Sequence, residues 1–176
     1  MHQDEYAPHV SEAISALGYV KPEYASVLEA LMPRCMTEHP HAVAREIRKT
    51  GTQITDDEKT RLGIKRNGFM SREALSMLTD HGKQHPLLAL ENTLLRALFS
   101  CYRERHIEEL YELQRQCDKP VFALIKGAVA DCPGCAKLDL KVRPSEAAAQ
   151  FPIVGCSRDA CAVLMEADID FLTGVN

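Results

Sequence analysis

No apolar run in this chain of 176 residues approaches the roughly 18 that a membrane-spanning helix requires. The N-terminus, MHQDEYAPHV, has no basic stretch followed by an apolar one, so no secretory leader is expected. A cytoplasmic location follows as the default, with no membrane partner. An excess of positive charge is missing too. The formal net charge is −4, which excludes a general attraction to polyanions. No G-x-S-x-G, P-loop, dinucleotide fingerprint or HExxH occurs, so no familiar catalytic constellation is present. Paired carboxylates such as Asp56-Asp57 and Glu108-Glu109 are adjacent, and neighbours on a helix diverge by about 100° rather than converging on a substrate. There is no internal repeat and no low-complexity segment.

What is there suits a globular protein. Apolar residues make up 45% and charged residues 26%, and the length fits one domain or one domain with a small appendage. Such a chain buries a core without disulfide staples. The first two thirds read as helices. In KPEYASVLEALM, Pro22 suits a first turn, and Tyr24, Val27, Leu28 and Leu31 form an i, i+3, i+4, i+7 stripe. In HAVAREIRKTG, Val43 and Ile47 share a face. Thr55 to Glu58, TDDE, matches a capping box, and Ser71 is a candidate N-cap for the next helix. The longest periodic segment runs over 86–117. Leu87, Leu90, Leu94, Leu98, Tyr102 and Leu113, flanked by Leu95, Phe99, Ile107 and Leu110, predict one helix of about eight turns as the spine of the fold.

The character changes after Cys117. KPVFALIKG is β-branched and aromatic between Pro120 and Gly127, and reads as a strand. PSEAAAQ fits a short helix, and ACAVLMEADIDFL a closing helix. The expected architecture is mainly α: a helical domain, 1–118, built on the long helix, then a small module, 119–176, with a short strand and a cysteine cluster.

Seven cysteines is a high and odd number for a reducing compartment, where they serve as metal ligands, catalytic groups or core residues rather than bridges. Four come late: Cys132, Cys135, Cys156 and Cys161, in the pattern C-x2-C, twenty residues, C-x4-C. Zinc takes four soft ligands in a tetrahedron. Pro133-Gly134 is a turn dipeptide that can bring the first two sulfurs to one ion, and Gly155 with the polar SRDA spacer can do so for the second pair. Two other readings stand beside this one. C-x2-C after a strand is also a redox signal, although that leaves the second pair unexplained. The thiols could also be core residues. If zinc binds, four thiolates close the site, so its role is structural. Four thiolates and Zn²⁺ sum to −2, and Lys137, Lys141, Arg143 and Arg158 lie near in sequence to offset it, although they fit ordinary surface charges equally well.

Residues 132–161 resemble a four-cysteine knuckle of the zinc-ribbon type. More loosely, CPGCAKLDLKVRPSEAAAQFPIVGC is similar to the cysteine-rich segment near the end of some phage head-morphogenesis proteins. The resemblance implies a metal-ligand role for these cysteines.

The remaining candidates have plainer readings. Cys35, Cys101 and Cys117 are expected to pack in the core. His39 and His41 suit a loop or cap, His81 and His85 flank a turn, and His106 is expected to be half-buried or at an interface. Residues 45–66 lean basic, and Arg61, Lys65 and Arg66 could form a phosphate-contacting face, although the net excess is only three and a solvated surface is the favoured reading. The functional expectation is a non-enzymatic zinc-binding protein whose partner is another protein. The alternatives are a nucleic-acid-binding regulator using the 45–66 face, and an enzyme whose site the sequence does not advertise.

Overall fold

The computed structural model of the chain describes residues 5–127, 132–136 and 138–170. It divides into two compact units, Met1–Leu98 and Phe99–Asn176. The division falls inside the long helix, whereas the composition change after Cys117 marks that helix's end.

The first unit is helical: α1 (Ala7–Leu17), α2 (Ala25–Cys35), α3 (Pro40–Lys49), α4 (Asp56–Arg61) and α5 (Arg72–Ser76), followed by the start of α6 (Ala89–Gln116). The N-terminal signals operate as their chemistry requires. The Thr55 side chain accepts from the Glu58 amide at 3.2 Å, and Glu58 Oε2 accepts from the Thr55 amide at 2.8 Å. Ser71 Oγ accepts from the Ala74 amide at 3.1 Å, capping α5. Pro22 opens a 3₁₀ turn that leads into α2. In α2 the buried line is Leu28, Met32 and Cys35. Val27, expected on the inner stripe, is 45% exposed, because a helical neighbour of Leu28 points about 100° away from it.

Helix α6 is the expected spine, 28 residues long. Leu90, Thr93, Leu94, Ala97, Leu98 and Cys101 are buried along one face. Leu87 precedes its first turn and stays exposed, unlike the expected stripe. Among the described residues no helix is long and apolar enough to cross a membrane.

In the second unit three strands, β1 (Val121–Lys126), β2 (Asp139–Val142) and β3 (Met165–Ile169), form an antiparallel sheet in the order β2-β1-β3. The expected closing helix over ACAVLMEADIDFL is therefore corrected: its middle is an edge strand. Val163, Met165, Ala167 and Ile169 alternate with Leu164, Glu166 and Asp168, the period of a strand, and β1 supplies the pairing that a helix would not need. One face of β1 (Val121, Ala123, Ile125) is fully buried. It packs with Leu110, Ala147, Ile153, Val163 and Met165, and with half-buried Ile107 and Leu113 of α6. The second unit thus has an apolar core of its own, and Cys132 and Cys135 belong to it. Helix α7 (Pro144–Ala147) and the 3₁₀ turn Ala148–Gln150 occupy the expected short helix.

Candidate metal centre

The strand register brings the two cysteine-bearing segments to one end of the sheet. Lys126, closing β1, pairs with Asp139, opening β2, and Ile125 pairs with Met165, opening β3. The chain around Cys132 and Cys135 joins β1 to β2 at that end. The chain through Cys156 and Cys161 leads into β3 there.

Each segment is a tight turn. The amides of Cys135 and Ala136 both donate to the Cys132 carbonyl, at 3.0 and 2.9 Å, and the Leu138 amide donates to the Cys135 carbonyl at 3.1 Å. The Gly127 amide donates to Leu138 O at 2.8 Å, which ties this turn to the end of β1. Approach is so close that a Cβ at Gly127 would lie 1.8 Å from Cys135 O. In the second turn the Cys156 amide donates to Ile153 O at 3.1 Å. The two turns touch through Gly134, where a Cβ would meet Cys156 N at 2.5 Å, Gly155 C at 2.6 Å and Val154 O at 2.7 Å. Pro133-Gly134 therefore does more than turn the chain: the missing side chain lets one turn lie against the other.

The result is a cluster of thiols. The Sγ atoms of Cys132, Cys135 and Cys156 all lie within 4.8 Å of one another, a group that could hold a metal ion. Cys132 and Cys156 Sγ are 3.7 Å apart. That is far longer than a disulfide's roughly 2.05 Å. It matches the edge of about 3.8 Å that a regular tetrahedron has when metal and sulfur are about 2.3 Å apart. All seven cysteines are free thiols.

The thiols differ electrostatically. Cys132 is pushed down to about 6, chiefly because the Ser157 backbone N–H donates to it, with help from Cys135 and Cys156. Burial pushes Cys135 up to about 12, and its neighbours Cys132, Cys161 and Cys156 add to the rise. Burial also raises Cys156. The first thiolate forms readily and opposes the rest, and a divalent cation would reverse that repulsion. Cys161 is not among the three mutually close thiols. It is half-buried against the same core, and its charge would add to the rise at Cys156.

Nothing in a search of protein-family models, curated proteins or solved structures matches this chain. Its site is read from its own geometry.

The charged residues near the cluster in sequence do not all serve it. Lys141 Nζ pairs with Asp168 Oδ2 at 2.6 Å and lies 4.5 Å from the Phe122 ring centroid. Lys141 pairs with Leu124 in register, on the face opposite the buried Ala123 and Ile125, so it is turned away from the thiols. The Arg143 amide donates to Glu146. Arg158 presents its carbonyl 4.0 Å from Cys156 Sγ. Lys137 lies outside the described residues. Arg103 of α6 reaches the Cys161 backbone instead. Its Nη1 donates to Cys161 O at 3.0 Å, and its guanidinium lies 4.8 Å from the Phe151 ring centroid. Nothing in the sequence distinguished it from the other charges of 103–115.

Cys35 and Cys101 are buried, and Cys117 packs half-buried against the second core. His39 caps α3, its Nδ1 accepting from the His41 amide at 3.1 Å. His81 and His85 pack against the Tyr19 ring in tilted arrangements, with centroids 4.9 and 5.6 Å away. His106 is half-buried, with Nδ1 lacking a hydrogen-bond partner among the described residues. The basic stretch is divided. Arg48 is buried and donates to Leu87 O, Lys49 lies over Phe69, and Arg66 pairs with Asp56 at 2.7 Å. Arg61 and Lys65 are exposed. The ten residues between α4 and α5 exceed the three or four of a tight helix-turn-helix.

Proposed function

We propose that Cys132, Cys135, Cys156 and Cys161 bind one Zn²⁺ as four thiolates, and that the metal is structural. On this reading the protein is a non-enzymatic, cytoplasmic interaction protein whose partner is another protein. The observation that carries the metal is the 3.7 Å separation of Cys132 and Cys156, brought from turns 24 residues apart in the chain to the spacing of a tetrahedral edge. Two cysteine-bearing turns at one end of a three-stranded antiparallel sheet also support a module of the zinc-ribbon type. Four thiolates leave no open coordination position for a substrate, so the reading assigns the ion no catalytic step. Its contribution is to hold two turns together at the end of the sheet.

The protein partner is proposed to contact Val154. This side chain is 93% exposed on the turn that carries Cys156, where the metal would fix it in place for another surface to cover. The test is recovery of complexes by the tagged full chain, with and without a chelator, across a range of salt. Salt-insensitive capture of one protein, lost on chelation and in Val154→Asp, is expected. Capture of nucleic acid that falls steeply with salt would instead make the chain a regulator of that class.

A further inference from the structure

Resting on the four-thiolate reading, we infer that Arg103 is the positioning residue for the fourth ligand, and that it couples the metal centre to the long helix. Cys132, Cys135 and Cys156 are placed by turns whose own amides and glycines fix them. Cys161 follows a bend over 158–160 rather than a turn of that kind, and it stands outside the mutually close three. Among the described residues, its backbone carbonyl is held by the guanidinium of Arg103, which donates Nη1 to it at 3.0 Å.

The guanidinium is itself oriented, lying 4.8 Å from the ring centroid of Phe151, just ahead of the second turn. A planar cation over an aromatic face, donating in its own plane, is a geometry that arginine supplies and lysine does not.

The charge fits as well. A divalent ion with four thiolates carries −2, and a cation beside a ligand's backbone offsets part of it. Of the residues expected to do this, Lys141 is committed to Asp168 on the other face of the sheet. Arg103 comes from α6, whose Ile107, Leu110 and Leu113 pack in the same core as Cys132 and Cys135. Loading the site therefore draws on the helix, and helix residues set how firmly the ion is held. Groups outside the ligand shell of a metal typically change its affinity by about 10–100-fold.

The test uses the full chain loaded with Zn²⁺, and separately with Co²⁺ as a spectroscopic reporter of tetrahedral thiolate ligation. Zinc transfer to a chromophoric chelator is timed for the wild type, Arg103→Met, Arg103→Lys, Phe151→Leu and Cys161→Ser, with circular dichroism checking the helix content of each. Arg103→Met should lose zinc about 10–100-fold faster. Its Co²⁺ spectrum should lose thiolate-to-metal intensity and come to resemble that of Cys161→Ser. Arg103→Lys should restore part of the retention but not all, and Phe151→Leu should shift the rate in the same direction by less. If Arg103→Met does not fold, the lysine and Phe151 variants carry the test alone. Wild-type rates and spectra in the folded Arg103 variants would overturn the role of Arg103 and leave the metal reading standing. A wild type that takes up neither ion would remove the metal reading itself.

Discussion

Replacing Gly134 by alanine places one methyl group between the two cysteine-bearing turns, and its cost can be worked from the contacts. The new Cβ would lie 2.5 Å from Cys156 N, 2.6 Å from Gly155 C and 2.7 Å from Val154 O. All three are backbone atoms, so no side-chain rotation relieves the clash. Ordinary contact begins near 3.4 Å, so the second turn must retreat by about 0.7–0.9 Å. Overpacking of this kind costs about 1–3 kcal/mol. The same retreat would carry Cys156 away from Cys132, from a separation of 3.7 Å that already equals a tetrahedral edge. Stability of the second unit and metal affinity should therefore fall together. Val154→Ala is the control: the side chain is 93% exposed in the same turn, and should change stability by less than about 0.5 kcal/mol. Urea unfolding with and without zinc, and chelator competition, read both quantities. A Gly134→Ala protein as stable as the wild type, with unchanged zinc affinity, would refute the contact between the turns.

Leu94 has no exposed surface, so Leu94→Ala should cost about 2–5 kcal/mol by urea unfolding, and a change below about 0.5 kcal/mol would mean that this face of α6 is not packed. Metal binding should be pH-dependent with a definite sign. Cys135, pushed up to about 12, and Cys156, also raised, keep their protons at neutral pH, whereas Cys132, at about 6, has given up most of its own. Zinc must displace at least two protons at pH 7, and one more as pH falls through about 6, so affinity drops with acidity and more steeply below 6. Calorimetry in buffers of different ionisation enthalpy counts them, and release of fewer than two would contradict the thiol assignment. Changing Arg61, Lys65 and Arg66 together to Glu should alter no salt-dependent nucleic-acid binding. If the wild type binds with a slope near −0.9 per phosphate neutralised and the variant does not, the 45–66 face is the functional one.

Local chemistry was the most legible part of the chain. The Thr55–Glu58 box, the Ser71 cap and the long helix depend on residues a few positions apart; the two caps are where their signals placed them, and the helix begins three residues later than its pattern suggested. The thiol cluster was legible for a related reason, since Pro133-Gly134 and Gly155 announce turns and cysteine spacing announces convergence. What stayed hidden depends on distant partners. The segment around Met165 contains apolar residues at both helical and strand spacings, and pairing with β1, forty residues earlier, decides between them. The same pairing turned Lys141 away from the thiols. The contribution of Leu110 and its neighbours to a second core, and the reach of Arg103 to Cys161 across 58 positions, arise only once α6 packs against the sheet.

Elemental analysis of the full chain, purified without added metal, bears most directly on the central claim. The expected result is about one zinc per chain in the wild type and in Cys101→Ser, whose sulfur is buried in packing, and none in Cys132→Ser or Cys156→Ser. Metal-free wild type, with Cys132 and Cys135 cycling between dithiol and disulfide, would contradict it and make the cluster a redox centre.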